Sequence, residues 1–131
     1  MDKLRTMSEK QKIGKLGEQI AEKYLKSKNY RILEKNFWVK ISGRKFGEID
    51  IIAKKDDKVV FLEIKTLSRA QKISAEEKVN FKKIQKIKKT AEIWLEKNPE
   101  YKNFCLQIDV IAVLLNFETR IAKIRHFQNI T

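Results

Sequence analysis

The segment Phe46-Gly47-Glu48-Ile49-Asp50-Ile51-Ile52-Ala53 is apolar apart from two carboxylates. The period-two alternation of a strand would put Glu48 and Asp50 on one face together with Phe46 and Ile52. A second segment, Val59-Val60-Phe61-Leu62-Glu63-Ile64-Lys65, repeats the pattern, with Glu63 and Lys65 sharing a face with Val59 and Phe61. The short polar turn Lys55-Asp56-Asp57 between them predicts a hairpin. A carboxylate in the middle of a buried strand is costly unless it is paired or bound to a cation. Bringing Asp50 and Glu63 to one face adds like-charge repulsion. A hard divalent cation, Mg²⁺ or Mn²⁺, would relieve both costs, using the carboxylates, a backbone carbonyl (that of Ile64) and waters. Lys65 would project beside the ion, where it could orient or help deprotonate an attacking water and stabilise charge on a phosphate. The metal would polarise the phosphoryl oxygen and lower the pKa of the water. The competing reading of Asp-x₁₂-Glu-x-Lys is a salt-bridged strand pair, Glu63 with Lys65 or a neighbouring base, on an open sheet face.

Other chemistries are poorly supplied. One histidine, His126, and one cysteine, Cys105, exclude a Cys/His zinc site and leave a Cys–His dyad improbable. No glycine-rich phosphate loop or dinucleotide fingerprint is present. The chemistry must come from carboxylates, lysines and hydroxyls.

The elements that must position these residues follow from periodicity. Ser8 to about Lys28 predicts a helix, with Ser8 as N-cap, Ile13, Leu16, Ile20, Tyr24 and Leu25 on its apolar stripe, and Asn29 ending it. Gly14 and Gly17 within it suggest close approach of another element, since each weakens a helix by up to about 1 kcal/mol against alanine. Strands are expected at about 30–39, 46–54 and 58–66, with Ser42-Gly43-Arg44 marking a loop. A polar loop from Leu67 to Ser74 leads to a second helix from about Ala75 to Lys97, ended by Asn98-Pro99. Its inward residues are Val79, Ile84, Ile87, Ala91, Trp94 and Leu95, and lysines 78, 82, 83, 86, 88 and 89 face largely outward. Strands Leu106–Leu115 and Ile121–Phe127 complete an α-β-β-β-α-β-β order, a mixed sheet with helices. Residues 1–131 are read as one domain with residues 1–7 as a flexible tail.

The 131 residues carry a formal net charge of +13. Residues 1–45 sum to +8 and 78–105 to +5, whereas 46–77 sum to −1. An acidic segment between two basic ones suits a metal site within a phosphate-binding surface; a merely lysine-rich solvated surface is the plainer account. No stretch approaches the length of a membrane span, the polar start suggests no secretory leader, and a lone cysteine agrees with a reducing compartment. A cytoplasmic protein is expected.

The chain resembles the small bacterial YraN-like family of the restriction-endonuclease-like, or PD-(D/E)XK, superfamily, whose nearest characterised look-alikes are archaeal Holliday-junction resolvases. The matching residues are Gly14-Lys15-Leu16-Gly17-Glu18 with Ala21 and Tyr24-Leu25, Tyr30-Arg31-Ile32-Leu33-Glu34-Lys35-Asn36-Phe37, Gly47 to Ala53, Val60 to Thr66, Val79 with Lys83, and Asp109-Val110-Ile111-Ala112-Val113. The resemblance implies an α/β nuclease core of order αβββαβ, a mixed central sheet flanked by helices, with Asp50, Glu63 and Lys65 at the signature positions. It also implies that Glu18 supplies the extra acidic ligand of the resolvase branch. Gln107-Ile108, where a basic residue usually precedes the late strand motif, and a Lys40–Lys45 loop longer than the family's depart from the pattern.

The expected activity is therefore a Mg²⁺- or Mn²⁺-dependent DNA endonuclease, acting on branched or damaged structures, with Glu18, Asp50, Glu63 and Lys65 catalytic and Glu18, Asp50, Glu63 and Ile64 around the metal. Lys15, Arg44, Lys82, Lys83, Lys86 and Lys89 are the expected nucleic-acid contacts. DNA is placed ahead of RNA as partner, with no membrane and with a homodimer as one open assembly. The alternatives are a non-catalytic basic binding module and an RNA or ribosome assembly factor. Trp38, Trp94 and the phenylalanines are expected in the core, Asp109 in a structural role, and His126 as a bystander.

Overall fold

The structure, a computed structural model, describes residues 7–68 and 81–130. Helix α1 (Glu9–Ser27) starts at a capping box, in which the Ser8 hydroxyl accepts from the Gln11 amide at 3.2 Å and the Gln11 side chain accepts from the Ser8 amide at 2.9 Å. Asn29, with φ 69°, turns the chain out of the helix. Strands β1 (Arg31–Ile41), β2 (Arg44–Lys55) and β3 (Lys58–Ser68) follow. Then come helix α2 (Phe81–Lys97), a short 3₁₀ turn (Pro99–Tyr101), β4 (Cys105–Asn116) and β5 (Ile121–Phe127). Omitting the last strand, this is the αβββαβ order expected from the sequence.

The five strands form one mixed sheet in the order β1-β2-β3-β4-β5. The pairs β1–β2, β2–β3 and β4–β5 are antiparallel, while β3 and β4, joined through α2, are parallel. Ile51, Ala53, Val60, Leu62, Ile64, Ile111 and Val113 face α1 and cluster with Ala21 and Leu25. Val59, Phe61, Ile49 and Ile52 face the other way and cluster with Ile87, Ala91 and Trp94 of α2. The two helices thus cover opposite faces, each burying its apolar stripe.

Two tight turns set the strand lengths. The Lys40–Lys45 connection is not a long loop: Ser42 and Gly43, at φ 54° and 79°, make a two-residue turn, and both strands run to its edge. Asp56 at φ 54° likewise closes the predicted β2–β3 hairpin. β3 continues to Ser68, through the start of the expected loop. The remainder of that loop, the expected start of the second helix at Ala75, Lys78 and Val79, and most of the expected tail lie outside the described residues.

The glycines of α1 differ. A Cβ on Gly17 would clash with the Thr66 side chain of β3, so the absent side chain lets α1 lie against the sheet; Gly14 meets nothing within 4 Å. Three sequence expectations are corrected. Leu16, assigned to the apolar stripe, is exposed, the neighbouring Gly17 being the residue that meets the sheet. Trp38, on edge strand β1, and Phe117, at the β4–β5 turn, are 48% and 57% exposed rather than in the core; Trp38 alternates with Phe37 and Val39, which take the α2 side of the strand. Trp94 is buried, with its indole N–H donating to Glu34 at 2.9 Å.

Candidate active site

β2 and β3 are in register from Ile51↔Leu62 to Lys55↔Lys58, and the paired register ends there. Asp50 and Glu63 are the next residues along each strand. In place of the ladder, the Ile64 amide donates to Asp50 Oδ2 at 2.7 Å. The strict alternation read from the sequence is also broken, since Ile49 and Ile52 both face α2. Asn36, at φ 54°, and the register shift between Ile32 and Glu34 mark the accompanying irregularity in β1. Asp50 consequently lines clefts on both sides: one with Gly14, Glu18, Glu63 and Ile64 beneath α1, another with Gly47, Glu48, Glu63, Lys83 and Lys86 beneath α2.

Burial pushes the Asp50 carboxyl up to about 7, aided by the charge of Glu63 and, more weakly, of Glu18 and Glu48, while the Ile64 hydrogen bond pulls it down. Glu18 is also raised, by burial first and then by Glu48, with Glu63 adding and Lys15 opposing. The structure therefore draws Glu18, Asp50 and Glu63 into one electrostatic neighbourhood from three elements. It adds Glu48, an acid the sequence reading placed on this face without assigning it a role. Glu48 pairs directly with Trp38 across β1–β2 and accepts from Lys45 at 2.9 Å.

Glu63 is buried, and its Oε1 lies 2.6 Å from Lys83 Nζ and 3.4 Å from Lys65 Nζ. The salt-bridged alternative of the sequence reading is thus realised at this carboxylate. Lys83, assigned outward on the second helix, instead reaches into the site; a helical period says which residues share a face, not which long side chain bends back along it. Burial works against the Lys83 ammonium, but its bonds to Glu63 and Lys65 outweigh that and raise its pKa. Lys65 moves down, through burial and the neighbouring Lys83 ammonium, against the pull of Glu63. Lys15, Arg44, Lys82, Lys86 and Lys89 are exposed around these clefts or on the outer face of α2.

The donor chemistry suits a hard divalent cation: Asp50, Glu63 and Glu18 offer carboxylate oxygens and Ile64 a backbone carbonyl, with no soft ligand among them. Asp50 and Glu63 keep like charges together in a desolvated place, the condition such a cation relieves. Among the described residues no three acids are already gathered as a ligand cluster, and the Lys83 and Lys65 ammonium groups supply the cationic partners of Glu63.

Asp109 and His126 belong elsewhere. Asp109 is fully buried and accepts from the Gln107 side chain and the Asn129 amide, both at 2.9 Å, and its Oδ2 lies 2.7 Å from His126 Nε2. His126 Nδ1 is 2.9 Å from the Tyr24 hydroxyl of α1. This network ties α1, β5 and the residues after β5 to β4, and it lines neither of the two clefts described for Asp50. His126, the expected bystander, is a buried link. Gln107, noted as a departure from the family pattern, is one of the donors to Asp109.

Fold and element order define a protein of the restriction-endonuclease-like α/β class. Residues 17–113 match the model of the Uncharacterised protein family UPF0102, and the chain belongs to that family. A UPF0102 protein of Clostridium botulinum strain 657 is 44% identical over 104 residues, 79% of this chain and 80% of the relative. Another, from Caldanaerobacter subterraneus subsp. tengcongensis, is 40% identical over 121 residues, 92% of this chain and 94% of the relative. The crystal structure of SSO0001 aligns with 93% of this chain at 16% identity and a TM-score of 0.38; the chain spans 53% of that structure, and so distant a likeness adds nothing to the assignment. No described helix is long and apolar enough to cross a membrane.

Proposed function

We propose that the protein is a Mg²⁺- or Mn²⁺-dependent nuclease that hydrolyses phosphodiester bonds of DNA, ahead of RNA, in the cytoplasm. The observation that carries the reading is the raised, half-buried Asp50 carboxyl beside Glu63, itself paired with Lys65, where the paired register of β2 and β3 ends. Perturbed acids in a cleft are where hydrolytic sites are built. Asp50, Glu63, Glu18 and the Ile64 carbonyl would hold the cation, which when bound supplies polarisation of the phosphoryl oxygen and a more acidic water. Lys65, with its lowered pKa, is suited to accept a proton from the attacking water and to steady the phosphate. Lys83 would then neutralise charge beside Glu63. Exposed Lys15, Arg44, Lys82, Lys86 and Lys89 would hold the backbone of the nucleic acid.

One observation favours a second reading. Glu63 is already satisfied by two lysines, which is what a non-catalytic nucleic-acid-binding module would keep. A cleavage panel decides between them: duplex, single-stranded, flapped and four-way DNA, together with RNA, each with Mg²⁺, Mn²⁺ or EDTA. The nuclease reading predicts metal-dependent cleavage of at least one DNA substrate. Binding without cleavage across the panel selects the module.

A further inference from the structure

Trp38 stands apart from its strand neighbours. Phe37 and Val39 are buried against the α2 side, while Trp38 is 48% exposed. Its direct partner across the β1–β2 ladder is Glu48. Directly opposed residues of an antiparallel pair leave the sheet on the same side. Phe37 and its partner Ile49 both face α2, so Trp38 and Glu48 leave the sheet on the opposite side, the one α1 covers, with Glu48 two residues along β2 from Asp50. Beyond it, the hairpin runs on to the Ser42–Gly43 turn with Lys40, Ile41, Arg44 and Lys45 all exposed. The Lys40 ammonium lies 5.6 Å from the centre of the Trp38 ring, and Lys45 neutralises Glu48 at 2.9 Å. A single exposed aromatic residue requires no explanation. An exposed indole among cations, beside a group of acids, is a different matter. The π-face of a nucleobase stacks on such a ring, and the flanking phosphates meet the cations.

We infer that Trp38 is a stacking platform for an unpaired nucleobase, with Lys40 and Arg44 holding the adjoining phosphates, so that the β1–β2 hairpin selects single-stranded or frayed nucleic acid. In an intact duplex the base faces are covered by their neighbours in the stack, and only backbone and base edges are offered. The platform therefore discriminates by strandedness rather than by sequence. Lys45, by pairing with Glu48, keeps the nearest acid from repelling the incoming strand.

The inference rests on the nucleic-acid reading above, but its test needs no cleavage. Of the two tryptophans, Trp94 is 2% exposed, with Phe61 and Tyr101 against its ring, so quenching by a stacked base reports Trp38 alone. Intrinsic fluorescence is followed in EDTA as oligothymidylate is added to the full chain, and labelled single strand and blunt duplex of equal length are titrated by anisotropy at matched salt. We expect quenching in the wild type and none in Trp38→Phe. Trp38→Ala should weaken single-strand binding about 10-fold, the size of one base–aromatic stack, and duplex binding less than about twofold. Trp38→Phe, which keeps a ring, should stay within about threefold of wild type. An unchanged melting temperature of Trp38→Ala, expected for an exposed residue, assigns the loss to binding. Equal single-strand affinity of wild type and Trp38→Ala, or equal losses on both probes, would overturn the platform while leaving salt-dependent binding in place. Absence of any binding by the wild type would remove the nucleic-acid reading, and this inference with it.

Discussion

Replacing Asp50 by asparagine removes a charge but keeps an oxygen to accept the Ile64 amide. The folded carboxyl titrates at about 7 against an ordinary value of 3.8, so folding disfavours its ionised form. Below 3.8 both states are protonated and no penalty exists. As pH rises towards 7 the unfolded chain has lost the proton while the folded one holds it, so wild-type stability falls, and above about 7 the penalty is complete. At about 1.36 kcal/mol per pH unit this amounts to about 4 kcal/mol above pH 7 and about 2 kcal/mol at pH 5. Glu18 is raised as well and shares the protons of the group, so these are ceilings. We expect the advantage of Asp50→Asn over wild type, in EDTA, to grow by about 1–2 kcal/mol between pH 5 and pH 8. In a chain of this size that is roughly 4–8 °C of melting temperature, read by calorimetry or circular dichroism at both pH values. A difference between the two proteins that does not change with pH would refute the claim that Asp50 is held in a desolvated, acid-crowded place.

Further predictions follow from other parts of the structure. Gly17→Ala should destabilise by about 1–3 kcal/mol by driving a methyl group into Thr66, whereas Gly14→Ala, in open space, should be neutral or stabilising by up to about 1 kcal/mol; chemical denaturation measures both. Asp109→Ala should cost about 2–4 kcal/mol by stranding His126, Gln107 and the Asn129 amide, and leave metal-dependent melting shifts intact. If about 5 phosphates are neutralised, log K against log salt for duplex DNA should slope at about −4 to −5, and combined charge reversal at Lys82, Lys86 and Lys89 should flatten it. Millimolar Mg²⁺ should raise the melting temperature of wild type at neutral pH and raise that of Asp50→Asn far less.

Much of this arrangement was legible before the fold was known, because strands that are otherwise apolar advertise a misplaced charge. Asp50, Glu63 and Lys65 were found in that way, and the turn at Asp56 fixed the hairpin that brings them near. The Gly17 approach was legible as a cost without its partner; only the α1–β3 contact names Thr66. Period-two reasoning failed at Asp50 itself, where Ile49 and Ile52 both turn to α2 and the paired register of β2 and β3 ends. Trp38 departs from the expected core position because residue type alone speaks for burial, whereas on edge strand β1 the buried α2 side goes to Phe37 and Val39 and Trp38 takes the other. Lys83 was misplaced because a four-carbon stem lets the charge travel from the outer flank of a helix to a buried acid.

The central claim is that Asp50, Glu63 and Lys65 form a metal-dependent hydrolytic site. Its most direct test is cleavage of the best DNA substrate by wild type and by Glu63→Ala at equal, verified purity, with Mg²⁺ and with EDTA, alongside binding of the same DNA. The account predicts cleavage by wild type only when the metal is present, none by Glu63→Ala, and binding by both within several-fold. Undiminished cleavage by Glu63→Ala, or wild-type cleavage that persists in EDTA, would contradict it.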